Sequence, residues 1–198
     1  MRVTAAAAQG DAMKRGWPWF AIAAVTTIAA LQLRRQGRLW LCDCGRVLVW
    51  AGDAWSADNS QHLFDPYSFT HVLHGFIFCG LLAWAASGRA AWQWRLARAV
   101  SIEALWEVCE NSAFVIKRYR EATLALGYQG DTIINSIGDI FACALGFLLA
   151  RRLGLRRTLV VFALIELVLL CWIRDSLLLN VLMLLYPIDA IKAWQMNH

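Results

Sequence analysis

Five times between Trp17 and Ile173 the chain enters an apolar run that approaches the thickness of a bilayer: 17–33, 69–87, 98–116, 131–150 and 158–173. A helix rises about 1.5 Å per residue and the hydrocarbon layer is about 30 Å thick, so about 20 apolar residues suffice to cross it. The composition agrees, with 60% of residues hydrophobic, 17% charged and a mean hydropathy of +0.49, where a soluble domain carries about 25% charge. Lipid then covers the apolar surface, and only the packing of helix against helix is left to specify. The expected fold is an all-α integral membrane bundle of about five transmembrane helices. It forms one membrane domain, 16–198, behind a disordered tail, 1–15.

The segments between the runs are read from their charges and turn residues. The first run resembles a signal-peptide core, but no small-residue cleavage site follows it and "RRQGR" comes next, so it is taken as a span. Residues 34–68 are too charged to cross. Within them "LWLCDCGRVLVW" places aromatic and β-branched residues on both sides of "DCGR", which predicts a small surface hairpin, with a loop or interfacial helix as the alternative. The apolar stretch 177–187 is too short to span and reads as a re-entrant or interfacial helix, or a kinked extension of the fifth span, ended by Pro187. Cys79, Cys109, Cys143 and Cys171 sit in apolar runs as small hydrophobes. Cys42 and Cys44 are too close in sequence for an easy bridge, and no second pair accompanies them to hold a metal.

The net charge of +5 does not indicate nucleic acid, because the 19 Lys and Arg residues cluster between apolar runs, as membrane flanks do. The lipid bilayer is the partner this pattern predicts. Trp17, Trp19, Trp40, Trp84, Trp92, Trp94 and Trp172 fall near segment ends, where aromatic rings settle among headgroups. Basic residues divide almost evenly between the two faces, whereas Asp43, Asp53, Asp58 and Asp65 share one. That asymmetry favours a cytoplasmic N-terminus.

Three neighbouring spans each carry a polar stripe. His71 and His74 are spaced i, i+3; Glu103, Glu107 and Glu110 follow i, i+4, i+7; Asp131, Asn135 and Asp139 follow i, i+4, i+8. Successive spans run antiparallel, so His71, His74, Glu110 and Asp131 are expected at one depth near one surface, with Glu107, Asn135 and Asp139 about two turns deeper. His62, Asp65 and Arg174 with Asp175 lie at the same face. A charge at the bilayer centre costs at least about 2.5–3.5 kcal/mol, so the carboxylates require compensation. A divalent metal, shared protons, or basic residues of the third-to-fourth loop would each supply it. Gly138, Ala142 and Gly146 are read as small residues that let the fourth span pack closely, and Glu166 as a lone carboxyl bonded to a neighbouring helix.

The blocks "CDCGRVLVWAGDAWSADNSQHLFDPYSFTHVLHGF", "EALWEVCENSAFVIKRYREATLALGYQGDTIINSIGD" and "IRDSLLLNVLMLLYPIDAIKAWQ" resemble a family of bacterial multi-pass membrane proteins, uncharacterised protein family 0314, also called domain of unknown function 2585. The resemblance implies a plasma-membrane location and brings no activity. A fainter similarity is to VanZ-like membrane proteins, where an acidic residue on one span precedes D-x-x-x-N-x-x-G on the next, here Glu107 or Glu110 followed by Asp131, Asn135 and Gly138.

Three functions fit these residues. The first is a membrane-embedded hydrolase or transferase, metal-dependent in one version, acting on a lipid-linked or phosphorylated substrate. Glu107, Glu110, Asp131, Asn135 and Asp139 would carry the chemistry, Arg118, Arg120 and Arg174 would hold a phosphate, and His71 and His74, with Glu110 and Asp131, would hold the metal. The second is a proton-coupled transporter; the third is a membrane scaffold or sensor. Neither G-x-S-x-G nor H-E-x-x-H is present to decide among them.

Overall fold

The computed structural model describes residues 2–85, 91–122 and 127–196. Helix α1 (Arg2–Arg35) is helical back through most of the stretch expected as a tail. Then come α2 (Ser68–Ala85), α3 (Trp92–Glu110), α4 (Ala113–Ala122), α5 (Ile133–Leu153), α6 (Leu155–Ile173), α7 (Leu177–Leu185) and α8 (Asp189–Met196). Three helical segments, Gly16–Arg35, Ser68–Ala85 and Ile133–Leu153, are long and apolar enough to cross a membrane. The last two residues of the second expected span lie outside the described residues.

Polarity is inverted relative to a water-soluble bundle. Glu103, Glu107 and Ser136 are fully buried, while Leu81, Phe141, Leu159 and Leu164 are each more than half exposed. Such an arrangement suits a lipid exterior, where apolar side chains need no shielding and polar ones must find partners inside. Aromatic clusters mark two ends of the bundle. Trp19 meets Trp92 edge-on, and the Arg151 guanidinium lies 4.5 Å from the Trp92 ring centre; at the other end Trp50 and Trp172 stack beside Phe69.

Helices α2 and α5 form the most extensive pair. Their backbones touch because glycine leaves room: a Cβ on Gly75 would collide with the Cys143 carbonyl and the Phe147 amide, and one on Gly146 with the Val72 carbonyl. Ala142 is buried nearby and Gly138 abuts the Leu63 carbonyl, as expected of the small residues on this helix. Beside this pair, Ala29, Leu96, Ala99, Val100, Ala104, Ile140 and Phe147 form an apolar core among α1, α3 and α5.

The structure departs from the sequence expectations in four further places. No hairpin forms across "DCGR": the chain turns at Cys42–Gly45, and residues 48–51 pair in parallel with 63–64 through a bridge between Trp50 and Phe64. That turn brings the Cα atoms of Cys42 and Cys44 to 5.1 Å, inside disulfide range, and the two are bridged. The third expected span breaks after Glu110, where Asn111 turns its side chain into a loop bond with Asp131, and α4 starts afresh. Of the four apolar-run cysteines only Cys143 is fully buried, while Cys109 and Cys171 face outward.

Glu166 explains how the chain folds back after α6. Its carboxylate accepts the amides of Leu177 (2.9 Å) and Leu178 (3.2 Å), the first two residues of α7, where orphan N–H groups and the positive helix end favour an anion. Arg174, in the left-handed conformation at φ 52°, makes the reversal.

Gly75→Val should destabilise the detergent-solubilised protein by about 3 kcal/mol, the upper end of overpacking costs, because the atoms it meets are backbone. Gly80→Ala, on the same helix with open space around it, should instead stabilise by about 0.5–1 kcal/mol. Thermal melts of the two variants check the pair.

Candidate functional site

The loop before α2 is stitched onto the N-terminus of α5. The first amides of α5 and its cap donate outward: Thr132 N to Ser60 O (3.0 Å), Ile133 N to Leu39 O (2.8 Å) and Ile134 N to Trp40 O (3.2 Å). Thr132 caps the helix by accepting from Asn135 N, and the Asn135 amide donates to His62 O (2.8 Å) and Asp65 Oδ2 (3.3 Å). Asp65 in turn accepts the Ser60 (2.8 Å) and Tyr67 (2.7 Å) amides, and its own N–H donates to Ser68 Oγ. This "DPYS" cap starts α2 inside the bundle. Burial raises the Asp65 carboxyl above the usual range despite these donors.

The depth of that start decides which groups meet. Ser68 Oγ donates to Asp139 Oδ1 at 2.7 Å, so α2 begins level with Asp139, about 9 Å further in than the first residue of α5. The histidines, expected level with Glu110 and Asp131, therefore reach deeper on α3. His71 Nδ1 donates to Glu103 Oε1 at 2.5 Å and lies 3.3 Å from Glu107 Oε1. His74 Nδ1 donates to the two Glu103 oxygens at 3.1 and 3.0 Å. Glu103 thus gathers both imidazoles, although its place in the stripe is the one furthest from the expected site. The other His71 nitrogen, Nε2, faces Asp139 Oδ2 at 3.9 Å. Glu107 is fully buried, and neither of its carboxylate oxygens has a hydrogen-bond partner.

Glu110 joins this group from the cavity side. One ligand-type atom from each of His71, Glu107 and Glu110 lies within 4.8 Å of the others, as is also true of His71, His74 and Glu103. Asp131 is elsewhere. It accepts Asn111 Nδ2 (2.7 Å) and Tyr128 OH (2.8 Å), and its amide donates to Asn111 Oδ1 (2.7 Å), which anchors the α4–α5 loop. Asn111 continues the glutamate stripe at i+4 from Glu107, a signal the sequence held.

These groups open into a cavity of about 760 Å³. Asp65, His71, His74, Glu110, Asp131, Asn135 and Asp139 supply its polar wall, Trp106, Leu177 and Val181 an apolar one, and loop residues from Cys42 to Gln61 its rim. No Lys or Arg among the described residues lines it. Arg118 donates to the Leu184 and Leu185 carbonyls, Arg120 to Tyr128 O and Gln129 Oε1, and Arg174 to Trp194 O. The structure therefore places all three expected phosphate-binding arginines at loop and helix ends outside the cavity wall.

The α6–α7 turn closes one side. Asp175 accepts Tyr67 OH (3.2 Å), Asn180 Nδ2 (3.3 Å) and its neighbour Ser176 N (2.9 Å). Burial still pushes its carboxyl up to about 6, those donors offsetting only part of the effect. Burial, together with the nearby carboxylates Asp175, Glu110 and Asp131, holds the Tyr67, Tyr119 and Tyr128 phenols well above their ordinary value, so all three serve as neutral donors.

The family model described as "Protein of unknown function (DUF2585)" matches residues 33–197. The chain is 46% identical to a UPF0314 protein of Rhizobium meliloti over 96% of its own length and 97% of the relative's, and 46% identical to one of Sinorhizobium fredii over 98% of each. It is 43% identical to a UPF0314 protein of Paracoccus denitrificans over 92% of this chain and 94% of that one. No solved structure matches.

Because Asp175 binds its proton more tightly folded than unfolded, its contribution to stability is complete below about 4 and is lost as pH rises to about 6. The stability of the native protein relative to Asp175→Asn should fall across that window and stay level above it. Thermal unfolding of both proteins in detergent from pH 4 to 8 measures this.

Proposed function

The chain belongs to the DUF2585 family of UPF0314 proteins, and from its own geometry we propose that it is a multi-pass inner-membrane hydrolase or transferase acting on a lipid-linked substrate. In this reading α1, α2, α3, α5 and α6 cross the bilayer. The glutamates of α3 face the bundle interior, and Glu166 of α6 is taken up by α7, so neither helix presents its carboxylates to lipid. The turn carrying Arg151, Arg152, Arg156 and Arg157 faces the cytoplasm, and the rim carrying Asp43, Asp53 and Asp58 faces outward.

The observation that carries the proposal is the cavity's division into two walls. Trp106, Leu177 and Val181 offer contact to a lipid chain, while His71, Glu110 and Asp139 meet the headgroup. Glu110 is the general base: it lines the cavity, is only half-buried, and shares the cavity wall with the Tyr119 hydroxyl, which donates to Asn180 Oδ1. It would take the proton of a water or hydroxyl as that oxygen attacks the headgroup, then return it to the leaving oxygen as the old bond breaks. Asp139, held by Ser68, would orient the attacking group.

A transporter reading finds less support. The polar residues lining the cavity gather at its loop-bearing side, whereas Leu96, Val100, Ile140 and Phe147 form an apolar core among α1, α3 and α5.

The test uses the protein in liposomes containing a lipid phosphate, with release or transfer of the phosphorylated headgroup as the readout. Turnover is expected, and Glu110→Gln should lower kcat by about 10²-fold or more while leaving the melting temperature near that of the native protein. No turnover by the native protein, or an unchanged rate in Glu110→Gln, rejects the proposal.

A further inference from the structure

We propose that His71, His74, Glu103 and Glu107 together bind one divalent transition-metal ion at the floor of the cavity. Both imidazoles turn the same nitrogen, Nδ1, toward one carboxylate: His71 at 2.5 Å and His74 at 3.0 Å from Glu103. A second carboxylate, Glu107, lies 3.3 Å from that same His71 nitrogen. Ligands that share an ion at about 2.0–2.2 Å sit about 3–3.6 Å apart, so the His74–Glu103 and His71–Glu107 spacings match, and the directly bonded His71 and Glu103 would part slightly to admit the ion. Two imidazoles and two carboxylates are the donor set of zinc-type ions rather than of calcium or magnesium.

Glu107 is the independent observation. A fully buried carboxylate with no hydrogen bond to either oxygen is costly unless something cationic meets it, and the imidazole beside it, His71 at 3.3 Å, is already bonded to Glu103. No Lys or Arg among the described residues lines the adjoining cavity. An ion here also bears on the substrate. The cavity wall is acidic, so a phosphorylated headgroup needs a positive centre to enter, and His71 and His74 bring the ion to the cavity surface.

The other cluster of metal-binding residue types, Cys42, Cys44, Asp58 and His62 at the rim, is already engaged in bonds of its own. Its cysteines are bridged, and Asp58 is held by Arg46 at 3.1 and 3.0 Å. His62 Nδ1 accepts the Leu48 amide, which leaves the ring proton on Nε2.

The inference rests on the cavity being a reaction site, but its test needs no substrate. Full-length protein in detergent, stripped with chelator and titrated separately with Zn²⁺ and Mn²⁺, should retain one equivalent of at least one ion by elemental analysis and melt at a higher temperature with it. Glu107→Gln and His74→Ala should each weaken binding at least tenfold. Metal-free Glu107→Gln should melt above the metal-free native protein, because a buried carboxylate without a hydrogen-bond donor is gone, and should gain less from added ion than the native protein does. Cys42→Ser/Cys44→Ser should bind as the native protein does.

Failure of the native protein to retain either ion overturns the site. So does binding that survives both Glu107→Gln and His74→Ala, or that is lost only in the cysteine variant. An ion bound in the predicted place without lipid-phosphate turnover would keep the site and reject the enzyme.

Discussion

The contact between the backbones of α2 and α5 determines what the remaining residues can do. Gly75 and Gly146 let two helices approach until carbonyls of one lie against the other. At that separation and register Ser68 reaches Asp139, and His71 is held between α3 and α5. A wider spacing would draw Ser68 away from Asp139 and move His71 away from the α5 face. Packing of small residues is a strong device in lipid, where apolar surface is already solvated and association depends on close dispersion contact and interhelical hydrogen bonds. The same helix pair therefore provides stability and brings the chemistry-bearing groups together.

Much of this was legible because the polar residues in the runs are few and periodic. A histidine pair at i, i+3 and three glutamates on an arc of α3 point inward for one reason: lipid offers them no partner. The small-residue stripe Gly138, Ala142 and Gly146 was equally readable. Depth was not. Antiparallel connectivity equates the ends of consecutive spans, yet the Asp65–Ser68 cap enters the bundle before α2 begins, which shifts both histidines toward Glu103. That displacement comes from buried loop bonds, Asp65 to Ser60 and Tyr67 and Asn135 to His62, and the last of these joins residues far apart in sequence. The expected hairpin is absent for a related reason. Residues 48–51 are β-prone, but the partner they find lies beyond a run of turns and pairs in parallel.

The loops hold their polar groups as firmly as the helices do. Asp131 belongs by spacing with the cavity carboxylates, and it does line the wall, but its bonds to Asn111 and Tyr128 tie the end of α3 to the start of α5. Arg118 and Glu166 likewise serve backbone groups left over where helices end, and Arg120 bonds the Tyr128 carbonyl of the α4–α5 loop. A charged residue near a membrane surface has two employments, ligand and cap, and sequence spacing does not separate them. What separates them is whether its hydrogen-bonding capacity is already spent.

By that criterion Glu107 stands apart from the other buried carboxylates. Asp65, Asp131, Asp139, Glu103, Glu166 and Asp175 each accept at least one donor from the protein. Glu107 accepts none, although it is sealed from solvent and lies beside His71 and within the field of Glu110 and Asp139. A glutamine or methionine would fill the same volume at lower electrostatic cost. Stability alone gives no reason for a carboxylate there. The interior satisfies six acidic groups and leaves the seventh without a donor, with only the His71 imidazole 3.3 Å away, which makes Glu107 the acceptor that a cation bound there would complete.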